Sequence, residues 1–152
     1  MDDLDKKLIV ALQDDFPLTE RPYETIAGKL NADPAEVFTR VQKLVDQGAI
    51  RRLGASLDSR KLGYSSTLAA VRVDPPRIEA AAAVISAYPE VTHNYLRSGH
   101  FNIWFTLIAP NNEAIAQILE EIRLKLQLNP NDVLNLPVRR LFKLDARFKA
   151  AP

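Results

Sequence analysis

The residues that could do chemistry are concentrated in one short stretch of the chain. Both histidines, His93 and His100, fall within positions 93–104, together with Tyr95, Arg97 and the only tryptophan, Trp104. Aromatic rings stack on flat ligands, a guanidinium pairs with carboxylates, and a neutral imidazole coordinates iron. The combination therefore favours a flat, anionic, metal-containing ligand.

The spacing of these residues predicts how a strand pair presents them. Side chains alternate between the two faces of a strand, so His93, Tyr95 and Arg97 are predicted on one face, with His100 at the hairpin tip beside them. Each has an ordinary alternative: a strand histidine is often a hydrogen-bonded structural residue, and Trp104 fits a core or a subunit interface equally well.

Composition excludes several classes of protein. The chain has 152 residues, 47% hydrophobic and 26% charged, which is typical of a soluble globular protein. Without cysteine it has no disulfide, Fe–S cluster, thiolate zinc site or cysteine nucleophile, and two histidines cannot form a three-histidine metal site. We therefore expect no intrinsic metal. No apolar run is long enough to span a bilayer and the first residues are acidic, which predicts a cytoplasmic protein without membrane contact.

The first part of the chain has the pattern of a winged helix-turn-helix. Helical spacing predicts helices over 3–15 and 34–47, and a second helix that begins at Pro22 and ends at Asn31. Residues 50–58 alternate enough to predict a small wing hairpin or strand.

The second part alternates strands and helices in the order β-α-β-β-α-β, which is the ferredoxin-like split unit. Strands are predicted at 65–73, 91–97, 101–109 and 132–144, and helices at 77–87 and 112–127. The predicted fold class is α+β, with a winged helix-turn-helix domain over 1–60 and a ferredoxin-like domain over 61–152.

The charge balance disfavours DNA as a partner. Residues 1–61 hold ten basic and eleven acidic residues, whereas modules that bind DNA usually carry a basic excess. The predicted recognition helix offers only Arg40 and Lys43. Arg51 and Arg52 are predicted either to contact phosphates from the wing or to contact a ligand.

Two resemblances follow from these motifs. The order of elements resembles the Lrp/AsnC-type transcription regulators across nearly the whole chain. The runs His-Asn-Tyr-Leu-Arg at 93–97, Phe-Asn-Ile-Trp-Phe-Thr at 101–106 and Leu-Pro-Val-Arg-Arg-Leu-Phe-Lys at 136–143 resemble the siroheme decarboxylases, which share the regulator fold. Asn102 stands near the position where amino-acid-sensing relatives tend to carry an acid, and its amide cannot neutralise a bound ammonium.

The second resemblance implies an enzyme. A siroheme decarboxylase subunit converts siroheme to didecarboxysiroheme by non-oxidative loss of two acetate carboxyl groups, with the iron tetrapyrrole as substrate, no further cofactor and haem as a candidate regulatory ligand. The resemblance implies His93 or His100 as the proton donor or as a contact to the substrate iron, and Arg97 as a carboxylate clamp.

The other residues predicted to bind substrate are aromatic, amide or cationic. They are Tyr95, Asn102, Trp104, Arg51, Arg52, Arg139, Arg140 and Lys143. Arg139 and Arg140 lie on the predicted last strand and point to its opposite faces, so at most one reaches a shared pocket and the other is solvated. Pro137 has no N–H to donate and predicts that this strand is an edge or is bulged.

Partners are also implied by the resemblance. Siroheme decarboxylases commonly pair two related chains or fuse two such halves, so we expect at least a dimer with a paralogous subunit or with a second copy. The active site then lies in this chain or in its partner. Two alternatives to the enzyme stay open here: a DNA-binding Lrp/AsnC-type regulator, and a haem-sensing partner subunit without turnover.

Overall fold

The computed structural model describes residues 1–144, which form two compact units. One contains residues 1–55 together with Lys143 and Leu144, and the other contains Ser56–Phe142. The predicted boundary at residue 60 stays a prediction, and residues 145–152 of the predicted second domain lie outside the described residues.

The first unit is built from three helices whose ends match local sequence signals. Asp2 and Asp5 form a capping box at the start of the first helix, and Asp33 caps the third by accepting from the Glu36 N–H at 3.0 Å. Asn31 ends the second in the left-handed region at φ 51°. The helices are α1 Asp3–Asp14, α2 Pro22–Leu30 and α3 Pro34–Asp46.

An apolar core holds these helices together, as the predicted helix-turn-helix requires. It comprises Leu8, Ile26, Ala27, Val37 and Val41. The predicted wing is wrong, because residues 50–58 contain no strand. Residues 51–57 are all exposed, so neither face of a hairpin here would be buried, and an isolated two-stranded ribbon is only marginally stable. Arg51 and Arg52 lie in this segment.

The second unit is an antiparallel sheet with both of its α-helices packed on one face. Along the sheet the strand order is β2-β3-β1-β4, which confirms the ferredoxin-like β-α-β-β-α-β order. Ala69, Ile103, Phe105 and Leu107 point towards the helices and are fully buried. The elements are β1 Ser65–Val71, α4 Ile78–Ser86, β2 Val91–Leu96, β3 Ile103–Ala109, α5 Asn112–Lys125 and β4 Val133–Pro137.

The last strand is shorter than predicted. β4 pairs with β1 from Val133 to Pro137, not to residue 144, because Pro137 lies opposite Thr67 near the start of β1 and offers no N–H. Pro137 does lie on an edge strand, as predicted. Arg139 and Arg140 follow this strand in an exposed segment, so the prediction that a strand sends them to opposite faces is wrong.

Within residues 1–144, the longest helix has 14 residues, and no helix is long and apolar enough to cross a membrane.

The Asp2 cap makes the stability of the first unit depend on pH. The Asp5 N–H and the Arg40 guanidinium hydrogen-bond the Asp2 carboxylate and lower its pKa below the ordinary 3.8. Such a carboxylate stabilises the fold above the unfolded pKa, and this contribution is lost as pH falls through the lower folded value. Asn also caps helices well, so Asp2→Asn should keep the helix but remove this pH dependence.

The measurement is urea unfolding of the full chain, followed by helical circular dichroism, between about pH 5 and pH 2. The free energy of unfolding of Asp2→Asn should fall less steeply than that of the wild type as the pH is lowered. Asp3→Asn is the matched control, since its side chain is 92% exposed in the same helical turn. Equal acid sensitivity in the wild type and Asp2→Asn would contradict the prediction.

Candidate functional site

The face of the sheet that turns away from the helices carries most of the predicted site. In the β2–β3 pair His93 lies opposite Thr106 and Tyr95 opposite Trp104, whereas Asn94 lies opposite Phe105 on the helix side. Alternation along the four strands determines which residues share this open face. They are Ser66, Leu68, Ala70, His93, Tyr95, Trp104, Thr106, Ile108, Leu134 and Leu136.

His93 and Tyr95 form a flat aromatic surface on this face. Their ring centroids lie 6.0 Å apart and their planes differ by 22°, which is a stacked arrangement. Tyr95 is 51% exposed, and His93 is exposed beside it. Both rings are therefore accessible to a ligand that lies flat on the sheet.

Asn94 holds the edge strand that carries both rings. Its side-chain Nδ2 donates to the Ala82 carbonyl of α4 at 3.1 Å and to the Ser86 hydroxyl oxygen at 3.0 Å. These bonds tie β2 to α4, so the neighbouring residues His93 and Tyr95 must face the other way. This role of Asn94 was not predicted from the sequence, although a polar residue at a strand position that faces the helices is a signal for such bonds.

The end of the hairpin is held by Asn102. Its Nδ2 donates to the Val73 carbonyl at 2.7 Å, its Oδ1 accepts from the Val73 N–H at 3.0 Å, and its carbonyl accepts from the Arg97 N–H at 2.8 Å. The Trp104 Nε1–H donates to the Phe101 carbonyl at 2.9 Å. The connection spans residues 97–102, so it is longer than the predicted tight turn at 98–100.

The predicted cluster is divided into two groups along the strand pair. His93, Tyr95 and Trp104 lie together on the open face, whereas Arg97 and His100 lie at the hairpin end. Four residues separate His93 from Arg97, which on an extended strand is about 13 Å between Cα atoms. His100 is exposed, and its ring contacts the Phe101 ring edge-on at 5.0 Å.

The electrostatic character of this face is neutral to positive. All four strands and residues 133–144 lack Asp and Glu, and residues 91–112 contain Arg97 and both histidines with no acidic residue. Arg139 and Arg140 are exposed after β4, and Arg140 stacks over the Phe142 ring at 4.7 Å. An anionic ligand on the sheet would therefore meet no carboxylate from its strands.

Glu120, an acidic residue of this unit with a shifted pKa, lies on α5 and therefore on the opposite side of the sheet from the open face. On α5, hydrogen bonds from the Arg123 guanidinium lower the pKa of Glu120, and Glu120 in turn raises the pKa of Arg123. Among residues 1–144, no three His, Asp or Glu side chains are placed to hold a metal ion.

Comparison with known proteins supports the same two-part organisation. Residues 5–51 match the family model of the siroheme decarboxylase NirDL-like helix-turn-helix domain, and residues 61–143 match that of the AsnC-like ligand-binding domain. The siroheme decarboxylase alpha subunit of Desulfovibrio desulfuricans is 44% identical over 149 residues, which cover 98% of this chain and 84% of that protein. The chain belongs to the siroheme decarboxylase family.

Two solved structures place the family within a wider fold. The siroheme decarboxylase NirDL in co-complex with an iron-uroporphyrin III analogue has a TM-score of 0.70 and 32% identity, covering 91% of this chain and 45% of that one. E. coli AsnC has a TM-score of 0.79 and 21% identity, covering 99% of both chains, and shows a shared fold only. The predicted Lrp/AsnC-like fold and siroheme decarboxylase resemblance are both confirmed.

Within this family member, Asn102 should be important for the stability of the hairpin. Asn102→Ala leaves the Val73 N–H and carbonyl without their side-chain partners, which typically costs about 1–3 kcal/mol. We expect that loss in urea unfolding followed by the emission of Trp104, the only tryptophan. Asn131→Ala, at an exposed position in a short 3-10 helix, is the control. An Asn102→Ala effect no larger than the control would contradict the assignment.

Proposed function

We propose that this chain is a siroheme decarboxylase subunit that removes two acetate carboxyl groups from siroheme to give didecarboxysiroheme. In each removal the bond between the methylene carbon and the carboxylate breaks, carbon dioxide leaves, and the electron pair stays on the methylene carbon. That carbon then takes one proton and becomes a methyl group. The observation that carries the proposal is the exposed His93–Tyr95 stack on an acid-free sheet face.

The open face suits the substrate in shape and charge. A tetrapyrrole is flat and has carboxylates at its rim, so its ring would lie against His93, Tyr95 and Trp104. Arg97 at the hairpin end would bind a rim carboxylate, and a guanidinium binds that group through two parallel hydrogen bonds. Arg139 and Arg140, exposed after β4, are further candidate anchors.

One of the remaining residues predicted to bind substrate is already bonded within the protein, and three others stay candidates. The Asn102 amide is already bonded to the Val73 backbone, so we assign it the positioning of the hairpin rather than contact with substrate. Arg51 and Arg52 in the first unit, and Lys143 after the last strand, stay predictions of the sequence. Haem stays a candidate regulatory ligand.

The proton must come from a group placed beside the reacting carbon. An imidazole is the usual donor near neutral pH, and His93 and His100 are the only two in the chain. His93 lies on the flat surface and suits a contact with the ring or its iron. His100 lies at the hairpin end near Arg97, where a rim carboxylate would be bound.

A partner chain is part of the proposal. Leu68 and Leu136 on the open face are 42% and 43% exposed, and large apolar side chains in one continuous face favour a cover from another molecule. A macrocycle lying on this face would be enclosed by a second protein surface. We propose a paralogous decarboxylase subunit or a second copy of this chain as that surface.

The geometry of the first unit supports DNA binding less than the second unit supports binding of a tetrapyrrole. The Arg40 guanidinium of α3 bonds to Asp2 at 2.6 Å, to Asp5 at 2.9 Å and to Glu36 at 2.9 Å. These hydrogen bonds raise the pKa of Arg40, and the bond to Asp2 contributes most. They hold the Arg40 charge among three carboxylates. A cation paired in this way adds little attraction for phosphate, so α3 is better suited to a scaffold or a subunit interface.

The decisive experiment is anaerobic incubation of the purified chain with siroheme, with carboxyl loss followed by mass. The chain is incubated alone and together with a paralogous subunit. Product from the chain alone makes it self-sufficient, and product only in the mixture makes the active unit a heteromer. Absence of product in both, with a known siroheme decarboxylase active in the same buffer, would overturn the proposal.

Substitution of the two histidines separates their roles. His93→Ala and His100→Ala are each other's matched controls, since both residues are exposed, His93 on β2 and His100 in the connection between β2 and β3. Loss of the proton donor should lower kcat by about 10²- to 10⁴-fold. Unchanged rates in both variants would remove the imidazoles of this chain from the mechanism.

A further inference from the structure

The strand that carries His93 contains a β-bulge next to it. In the β2–β3 pair Val91 lies opposite Leu107 and His93 lies opposite Thr106, so Thr92 is the extra residue without a partner. Its hydroxyl oxygen lies 3.0 Å from His93 Nδ1 and 3.4 Å from the Thr106 carbonyl oxygen. The bulge therefore places a hydroxyl between an imidazole nitrogen and a backbone acceptor.

The Thr92 hydroxyl has two neighbours but only one proton. A hydroxyl has one proton and two lone pairs, and a backbone carbonyl can only accept. If that proton points to the Thr106 carbonyl oxygen at 3.4 Å, the hydroxyl offers a lone pair to His93. The 3.0 Å contact is in that case a hydrogen bond from the His93 Nδ1–H to the Thr92 oxygen.

We propose that Thr92 is a positioning residue that holds neutral His93 in the Nδ1–H tautomer and leaves Nε2 as the atom available to substrate. This inference rests on the proposed function for its catalytic meaning, although the tautomer is a property of the protein alone. In the neutral ring Nε2 then presents a lone pair that suits iron. In the protonated ring Nε2–H is the proton that can be given away.

Two independent contacts orient the same ring. Stacking against Tyr95 determines the plane of the imidazole, at 22° from the plane of the phenol. The contact of the Thr92 hydroxyl with Nδ1 distinguishes one ring nitrogen from the other. Within residues 1–144 the structure gives no hydrogen-bond partner to His93 Nε2, which fits a nitrogen kept for a ligand. The same division of roles between two ring nitrogens occurs where histidine binds metals.

The test reads the tautomer directly in the full chain. Proton–nitrogen correlation spectra of ¹⁵N-histidine-labelled protein distinguish the two neutral tautomers, and only two histidines contribute signals. His93→Ala assigns the signals and His100 serves as the internal reference. We expect the Nδ1–H form at His93 in the wild type. A wild-type spectrum with the Nε2–H form would overturn the proposal without any variant.

Two substitutions at Thr92 separate the hydroxyl from the shape of the side chain. Thr92→Val keeps a β-branched side chain without the hydroxyl, and Thr92→Ser keeps the hydroxyl. We expect Thr92→Val to shift His93 towards the Nε2–H form and Thr92→Ser to retain the wild-type tautomer. Siroheme turnover should fall about 10- to 100-fold in kcat in Thr92→Val, with KM little changed, and be restored in Thr92→Ser.

The outcomes separate the two proposals. A Thr92→Val spectrum identical to the wild type overturns the role of Thr92 whatever the activity. If Thr92→Val shifts the tautomer but neither the wild type nor the variants turn over siroheme, the role of Thr92 stands and the proposed activity is overturned. If Thr92→Val does not fold, the wild-type spectrum still decides the tautomer, and Thr92→Ala, which also lacks the hydroxyl, tests its dependence on that group.

Discussion

The structure depends on one constraint: both α-helices of the second unit pack on the same face of the sheet. Alternation along each strand then sends Phe105, Leu107 and their neighbours into the core and leaves His93, Tyr95 and Trp104 on the opposite face. The Asn94 bonds to α4 reinforce this choice, because they tie the helix-facing side of the edge strand in place. A shift of register by one residue would exchange the two faces and remove the aromatic surface.

The open face of the sheet combines a lack of negative charge with a flat aromatic surface. Strands without a single acidic residue are compatible with a polyanionic ligand, and a stacked imidazole–phenol pair offers it a flat surface. The backbone contributes as much as the side chains do. The bulge at Thr92 places a hydroxyl against the imidazole, and Asn102 joins the hairpin end to Val73, two residues beyond the end of β1. In the proposed function, ligand recognition and positioning are therefore separate tasks of different residues in the same hairpin.

The first unit keeps the helix-turn-helix fold, but the cation of its third helix is paired within the unit. Its three helices keep the helix-turn-helix core, but the arginine of α3 is surrounded by three carboxylates and the expected wing has no strand. An Lrp/AsnC-like fold is shared with transcription regulators, whereas the 44% identity over most of the chain is shared with a siroheme decarboxylase subunit. Fold and function are consequently supported by different observations.

The amino-acid sequence by itself determined the helices and the order of the strands, because helical periodicity, alternation and caps are local signals. The missing N–H of Pro137 pointed to an edge strand, and the family followed from the resemblance of particular sequence runs. The sequence did not determine the wing or the end of β4, since a strand forms only where a partner strand and a buried face are available. The division of the predicted cluster, the use of the Asn102 amide and the contact between Thr92 and His93 were decided by tertiary structure alone. The Thr92 contact depends on the register of the β2–β3 pair and the Asn102 bonds depend on the approach of Val73, and no local pattern encodes a bulge or the group that lies across it.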